Sequence, residues 1–271
     1  MRNLLVMAML AMAMPASAAD SGNGNQARHK SPVISLIIDD LGPSYADGRR
    51  VLELPGPVVV ALLPGTPYAR RLARDAGNAD REILLHLPMQ PINGADPGPC
   101  AVLLDMEERE LRDVLDRAFA EIPGAIGLNN HMGSLITQHP GHMTWLMRAL
   151  RERDPELVFV DSRTSAQSIA VLIAEEHAVP HLERDVFLDN ERDEASIRRQ
   201  FRRLVASARR NGSAVGIGHP YPETLDMLEQ ELPVLLDGQD VKLVSLRELL
   251  ERRSALPHAY PGRSYGRARP E

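Results

Sequence analysis

Short runs of apolar residues recur along the chain, and six of them end at a polar or ionisable residue. Runs of this length are typical of strands buried on both faces of a sheet. Most of the stretches between them repeat their apolar residues at the spacing of an amphipathic helix. This alternation predicts a parallel sheet, and by itself fits either an α/β barrel or a doubly wound sheet. The six runs are Ser35–Asp40, Glu82–His86, Ala125–His131, Leu157–Asp161, Asp185–Asp189 and Ala214–His219.

The same pattern predicts the individual elements. The stretch Gln90–Ala101, rich in proline and glycine, is expected to form a loop at the edge of the sheet. The predicted strands are Val33–Ile38, Val58–Leu63, Glu82–Leu87, Ala125–Leu128, Leu157–Val160, Val186–Leu188, Ala214–Ile217 and Lys242–Val244. The predicted helices are Met106–Ile122, Met143–Arg151, Ser165–His177, Glu194–Arg210 and Thr224–Leu236.

The residues that end the six runs are the candidate functional residues. In parallel α/β folds the carboxyl ends of the strands meet at one rim, and that rim holds the active site. We therefore expect these side chains to surround one pocket, although up to 180 residues separate them. They are Asp39, Asp40, His86, His131, Asp161, Asp189 and His219.

The two ends of the chain differ from this alternating domain, which we place at residues 32–251. Residues 1–19 combine Arg2, the apolar run Leu4–Met14 and a small-residue cleavage site at Ala16–Ala18, as in a cleavable export signal. The run is shorter than the ~20 residues that span a bilayer, so we expect no membrane span after cleavage. Residues 20–31 are predicted to be a flexible linker, and residues 252–271 a disordered tail. The mature protein is thus expected to be periplasmic or secreted.

Cysteine content and charge exclude some classes of protein. Cys100 is the only cysteine, which excludes an intramolecular disulfide and a thiolate metal cluster. The formal net charge is −6, aromatic residues make up 4%, and no basic stripe with interleaved aromatic residues occurs. Nucleic-acid binding is therefore not expected. No pattern bears on the oligomeric state.

Asp39 and Asp40 end the first predicted strand. Because side chains alternate along a strand, both carboxylates face one side only where the chain is already turning. One of them is then expected to bind a metal ion and the other to meet the substrate. The structural alternative is a helix cap next to a surface turn residue.

His86 and His131 each follow an apolar strand rather than lying on a helix face. The structural alternative remains, because an isolated histidine is more often structural than a metal ligand. Two histidines with an aspartate form the N,N,O set that suits Zn²⁺ or another divalent metal. Such ligands need hydrogen-bond partners to orient them, and Asn129 and Asn130 are candidates for this or for holding substrate hydroxyls.

Three further run-ending residues have more open roles. Asp161 lies close to Arg163, which either pairs with it or holds an anionic intermediate. His219 is a candidate general acid that protonates the leaving group, with a hydrogen-bonding cap of the barrel end as the alternative. Asp189 is assigned nothing beyond a cap for the following helix.

Six motifs, in order along residues 33–250, resemble the divergent polysaccharide deacetylases, exported relatives of the carbohydrate esterases with a NodB-type domain. The motifs are SLIIDDLG, LLPGTPYA, EILLHLPMQP, GLNNHMGSLIT, FVDSRTS and GIGHPYPETL. The resemblance implies a distorted (β/α) barrel of about seven strands, a divalent metal such as Zn²⁺, and the removal of acetyl groups from a polysaccharide or other glycan substrate.

The resemblance also implies roles for individual residues. Asp39 matches the family's catalytic base, Asp40 its metal-binding aspartate and His219 its catalytic acid. His86 matches the first of two metal-binding histidines spaced four residues apart, but Gln90 stands at the second position. We therefore expect His131 to complete the metal site. The family's Arg-Pro-Pro-Tyr stretch has no counterpart here, so no substrate contacts are carried over.

Three functions follow as hypotheses. The first is a periplasmic metal-dependent hydrolase that removes acyl groups from an acylated sugar. The second is a catalytically impaired envelope protein that keeps the metal pocket to bind a glycan or a partner. The third is a glycosidase without a metal, which would pair Asp39 or Asp40 with Asp161 or Asp189.

Overall fold

The structure is a computed structural model that describes residues 31–238 and 240–255. The predicted leader at residues 1–19, the predicted linker up to residue 30 and the predicted tail from residue 256 onward lie outside the described residues. No helix among the described residues is both long and apolar enough to cross a membrane.

A single parallel sheet organises the described chain. Its strands lie in the order β6-β5-β4-β3-β2-β1-β8-β7, and the short β9 pairs with the beginning of β1. The sheet curls into a half-barrel that stays open between β6 and β7, which confirms the predicted barrel-like fold. The strands are β1 (Val33–Leu41), β2 (Val59–Leu62), β3 (Ile83–Met89), β4 (Ala125–Met132), β5 (Val158–Asp161), β6 (His181–Glu183), β7 (Val186–Phe187), β8 (Ser213–Gly218) and β9 (Lys242–Leu243).

Helices connect most of the strands. Ser44, Asp193 and Ser245 cap the helices that follow them, each accepting a main-chain N–H with its side-chain oxygen. The helices are α1 (Tyr45–Glu53), α2 (Ala69–Asn78), α3 (Glu108–Glu121), α4 (Pro140–Arg153), α5 (Ala170–Glu176), α6 (Glu194–Asn211), α7 (Pro222–Asp237) and α8 (Leu246–Ser254), with a short 3₁₀ turn at Ile136–Gln138.

Three differences from the predicted elements have local causes. The sheet of the described residues has nine strands, one more than the eight predicted individually and about two more than the family resemblance implies, because the added strand β6 contains only three residues and shows little periodicity. Helix α5 begins at Ala170 rather than at residue 165, because Ser168 bonds Asp161 and holds the preceding loop. Helix α8 extends to Ser254, beyond the predicted domain end at 251, because Arg252 bonds Glu248 one turn earlier.

Side chains alternate between the two faces of each strand, so the buried apolar residues form two clusters. The same alternation decides to which side each site residue points. On β1, Ile34, Leu36 and Ile38 belong to the larger cluster, whereas Val33 and Ile37 belong to the smaller one. Asp39 continues the Val33–Ile37 series and so points to the side of the smaller cluster. The same rule puts His86 on that side, because Leu84 of β3 belongs to the smaller cluster.

Candidate metal centre

A break in the regular strand brings two adjacent carboxylates to the same place. Asp40 has a φ of +57°, in the left-handed region that few residues other than glycine adopt. The pairing of β1 with β2 shifts register between Ile38 and Leu41, around this residue. The chain therefore turns at Asp40, and its carboxylate joins that of Asp39 at the rim instead of facing the opposite side of the sheet.

Asp40, His86 and His131 converge on one point. Asp40 Oδ1 lies 3.1 Å from His86 Nε2 and 2.9 Å from His131 Nδ1. The two ring nitrogens are 3.2 Å apart. All three candidate ligand atoms lie within 4.8 Å of one another. The register of β3 and β4, which pairs His86 with Asn129, brings the two histidines together.

The donor atoms of this cluster suit a divalent cation. Asp40 Oδ1 is buried and has no hydrogen-bond partner among the described residues, although both ring nitrogens lie within 3.1 Å. An unsatisfied buried carboxylate oxygen is costly, and a cation shared with the two imidazoles would remove that cost. Two nitrogen atoms and one oxygen also match the usual ligands of Zn²⁺. The residues present therefore fit such a metal.

Asn129 connects the cluster to Asp39. Its Oδ1 lies 2.9 Å from His86 Nδ1, and its Nδ2 donates to Asp39 Oδ1 at 2.8 Å and to Ser162 Oγ at 3.2 Å. Asn129 is fully buried. Accepting the Nδ1–H of His86 fixes the ring tautomer so that the Nε2 lone pair faces Asp40 and His131.

The charges around the cluster shift three pKa values. Burial opposes a charged His86, but Asp39 and Asp40 outweigh it and raise the pKa of His86 to about 9. Burial also opposes ionisation of Asp40, yet the adjacent rings of His131 and His86 bring its pKa well below the usual range. For Asp39 burial prevails, and its pKa is raised despite His86 and His219. The site therefore favours positive charge beside Asp40 and a more basic carboxylate at Asp39.

His219 lies on the other side of the carboxylates and is held by Asp189. Asp189 Oδ1 lies 2.9 Å from His219 Nδ1, and Asp189 Oδ2 accepts the main-chain N–H of His219 at 2.6 Å. Thr224 donates to the same Oδ2 at 2.9 Å. The remaining ring nitrogen, Nε2, lies 3.8 Å from Asp40 Oδ2. Although burial opposes the charged ring, Asp189 raises the pKa of His219.

The expectation that Asp189 caps the next helix is wrong, because Asp193 caps α6 and Asp189 instead orients His219. The sequence contained two signals for this role. Asp189 ends an apolar run just as His219 does, and β7 and β8 are paired neighbours in the sheet. The sequence also places these two strands one after the other with a single helix between them, and strands connected in this way are usually neighbours in a parallel sheet.

Asp161 contacts the main chain of Arg163. Asp161 Oδ1 accepts the main-chain N–H of Arg163 at 2.7 Å, and its Oδ2 accepts the Ser168 hydroxyl at 2.7 Å. Arg163 donates to Glu183 at 2.6 Å. Because Phe159 belongs to the larger core cluster, alternation along β5 turns Asp161 away from the face that carries Asp39. These contacts hold the loop after β5.

Asn130 and Gln90 also hold loops. Alternation separates Asn130 from its neighbour Asn129, so Asn130 bonds Met132 O, Thr164 and the main-chain N–H of Ser162. The supporting role expected of Asn130 therefore belongs to Asn129. Gln90 Oε1 accepts the main-chain N–H of Leu104 at 2.7 Å. The residue at the position of the family's second histidine thus fastens the loop after β3.

The fold and this rim define a deacetylase-like α/β protein, and comparison with known proteins identifies its family. Residues 36–250 match the family model described as divergent polysaccharide deacetylase. Since the match covers most of the chain, the protein belongs to the divergent polysaccharide deacetylase family.

Individual relatives support this assignment. The chain is 37% identical over 224 residues to an uncharacterized protein of Haemophilus influenzae, covering 83% of this chain and 79% of that one. It is 38% identical to the uncharacterized protein YibQ of Escherichia coli. This match covers 81% of this chain and 69% of YibQ. The crystal structure of an uncharacterized Agrobacterium tumefaciens protein matches this structure with a TM-score of 0.76 and 28% sequence identity. The match covers 81% of this chain and 89% of that one.

A more distant structure shares the fold alone. It is a mutant of a carbohydrate esterase family 4 pseudoenzyme, with a TM-score of 0.51 and 16% identity, covering 81% of this chain and 67% of that one.

Proposed function

We propose that this protein is an exported, metal-dependent hydrolase that removes an acyl group from an acylated glycan. The observation that carries the proposal is the convergence of Asp40, His86 and His131 on one point, with a buried Asp40 oxygen that lacks a hydrogen-bond partner. Membership of the divergent polysaccharide deacetylase family supports a glycan substrate. The apolar leader, which lies outside the described residues, supports export.

The proposed chemistry assigns a separate task to each side of the site. Asp40, His86 and His131 would hold a divalent cation, which would supply Lewis-acid chemistry toward the acyl carbonyl and the attacking water. Asp39 accepts the proton of that water at Oδ2, because its Oδ1 is occupied by the Asn129 amide. Burial favours this step, since the raised pKa of Asp39 makes it a stronger base.

His219 donates the proton that the leaving group needs. Its Nδ1 faces Asp189, so the proton to be transferred sits on Nε2, the nitrogen that points toward Asp40. The raised pKa keeps the ring protonated at a pH where an unperturbed histidine would begin to lose its charge. Phe187 contacts the ring edge-on and Tyr221 stacks against it, which restricts its orientation.

The direct test measures the acyl group that is released. Purified protein is incubated with acetylated chitin oligomers, peptidoglycan fragments and an acetylated exopolysaccharide, and free acetate is quantified. We expect release that a chelator stops and that added Zn²⁺ restores. Acetate release that continues unchanged in chelator would contradict the proposal. New reducing ends that form in chelator, without acetate, would instead favour the glycosidase hypothesis, which needs no metal.

The second candidate function is glycan binding without catalysis. It is favoured by Gln90, which fastens a loop at the position where the family resemblance implies a second metal-binding histidine. Tight binding of a glycan fragment, with no acetate released from any of the three substrates in the presence of Zn²⁺, would select this function over hydrolysis.

Substituting Asp189 tests how His219 is oriented. In Asp189→Asn the amide nitrogen would replace Oδ2 and face two donors, the His219 N–H and the Thr224 hydroxyl. We expect about 1–3 kcal/mol loss of unfolding free energy from the unsatisfied groups. We also expect kcat to fall about 100-fold, because the general acid is misplaced.

The matched control is Asp193→Asn, because asparagine caps a helix as well as aspartate does. Both variants are compared by steady-state kinetics and urea unfolding. An Asp189→Asn variant with unchanged kcat would show that His219 does not need this partner.

A further inference from the structure

Helix α6 carries a concentration of positive charge in a chain whose net charge is −6. Its sequence, EASIRRQFRRLVASARRN, contains three Arg-Arg pairs and one acidic residue, Glu194. The pairs begin at residues 198, 202 and 209, and steps of four and seven residues return to nearly the same side of a helix. At 3.6 residues per turn the six arginines occupy an arc of roughly 140° and extend about 18 Å along the axis.

The position of α6 places this arc toward solvent. Ile197, Phe201 and Leu204, on the opposite side, are buried in the core. Since these apolar residues already pack inside the protein, the helix has no apolar face with which to enter a bilayer. Five of the eight exposed residues of the helix are arginines.

Half of these arginines have acidic neighbours. Arg198 pairs with Glu194 and Glu231, and Arg199 lies 3.7 Å from Glu191. Arg209 lies 3.5 Å from Asp240.

The other three arginines of the helix have no such acidic neighbours among the described residues. Arg202, Arg203 and Arg210 are exposed and make no hydrogen bond or ion pair with any other residue in the described part of the chain. Three cations side by side without counter-charges repel one another, and a polyanion would relieve that repulsion.

Arg192 carries a further positive charge beside the candidate active site. Helix α6 follows β7, so it begins at the rim where the strands end. Arg192, just before the helix, lies over the Tyr221 ring at 3.8 Å, and Tyr221 stacks on His219 with ring centroids 5.5 Å apart. Arg192 also pairs with Glu223 at 3.9 Å, and Asp193 and Glu194 separate it along the chain from the arginines of the helix. Arg192 is therefore a separate positive group next to the ring proposed as general acid.

We propose that the arginine face of α6, together with Arg192, binds the anionic groups of an acidic glycan whose acylated sugar occupies the rim. This inference rests on the proposed function for its choice of a glycan. The recognised chemistry is a carboxylate or phosphate repeated along the polymer, which the planar guanidinium groups bind in bidentate fashion. Because α6 begins at the rim, a polymer bound along the helix can also contact Arg192 beside the site.

The test measures binding rather than turnover, so an absence of hydrolysis does not affect it. Fluorescently labelled oligogalacturonate supplies carboxylates, poly(glycerol phosphate) supplies phosphates, and dextran is the neutral control. Vesicles containing phosphatidylglycerol test for a membrane partner. We expect wild-type protein to bind one of the two anionic polymers but not dextran, with affinity that falls as salt is added.

Two triple variants then locate the binding surface. Arg202→Gln/Arg203→Gln/Arg210→Gln is expected to bind about tenfold more weakly, as the loss of three exposed ion pairs implies. The control Arg74→Gln/Arg109→Gln/Arg117→Gln removes the same charge from exposed arginines of α2 and α3 that also make no hydrogen bond or ion pair with described residues, and it should bind like wild type. Both triple variants should retain the metal content of the wild type.

Three results would overturn the inference. One is an equal loss of affinity in the two triple variants, which would indicate a non-specific charge effect. Another is no binding of either anionic polymer. The third is binding to the vesicles alone, which would make the arginine face a membrane-contact surface. If binding occurs as expected but no glycan releases acetate, the proposed hydrolysis fails while the arginine face stands.

Discussion

His131→Ala is expected to lose its bound metal. The side chain supplies one of three converging donor atoms, 2.9 Å from Asp40 Oδ1. Removing a hydrogen-bond partner of a ligand typically weakens metal binding about 10–100-fold, so removing a ligand itself should cost at least about 100-fold. The measurement is metal content after dialysis, together with the dissociation constant for Zn²⁺ from competition with a chromogenic chelator.

The control is His177→Ala, which removes a histidine from the end of α5, outside the candidate site. The His131→Gln variant keeps most of the side-chain volume and guards against a loss of metal caused by misfolding. Unfolding midpoints are recorded for all three proteins. A folded His131→Ala protein that still binds one equivalent of Zn²⁺ as tightly as wild type would contradict the assignment of His131.

Asp39→Asn is expected to abolish hydrolysis while leaving the metal in place. The substitution keeps the shape of the side chain and lets the amide oxygen accept from Asn129, as Asp39 Oδ1 does now at 2.8 Å. It removes the group that accepts the proton, and a general base typically contributes about 10²–10⁴-fold to the rate. We therefore expect kcat to fall within that range, measured as acetate release, with unchanged metal content.

Asp161→Asn is the matched control for Asp39→Asn, because Asp161 is also a buried carboxylate at a strand end. Its hydrogen bonds to the Arg163 N–H and the Ser168 hydroxyl hold a loop, so we expect a kcat within a few-fold of wild type. The reverse outcome, with Asp161→Asn inactive and Asp39→Asn active, would place the base at Asp161.

Much of the fold could be predicted from the sequence because the longer strands are continuous apolar runs. The five predicted helices all occur, with ends that move by up to three residues except at α5. Strand β6 and helices α1, α2 and α8 were not predicted. In these elements, tertiary contacts rather than periodicity determine the structure, as where Tyr45 bonds Asp75 between α1 and α2.

The candidate site, like the fold, could be predicted from the sequence only in part. The sequence places Asp40, His86 and His131 at strand ends, and the parallel sheet brings strand ends together. Which face each residue occupies depends on strand register. This is why Asn129 rather than Asn130 reaches Asp39, and why Asp161 does not. The pairing of Asp189 with His219 was not predicted, although β7 and β8 follow each other along the chain with α6 between them and consecutive strands of this kind usually pair.

The most direct test of the metal centre is anomalous diffraction at the zinc absorption edge from crystals grown with Zn²⁺. The proposal predicts one strong peak among Asp40 Oδ1, His86 Nε2 and His131 Nδ1, within about 2.0–2.2 Å of each ligand atom. A peak bound by other residues, or no peak at this point in crystals soaked with excess Zn²⁺, would contradict it.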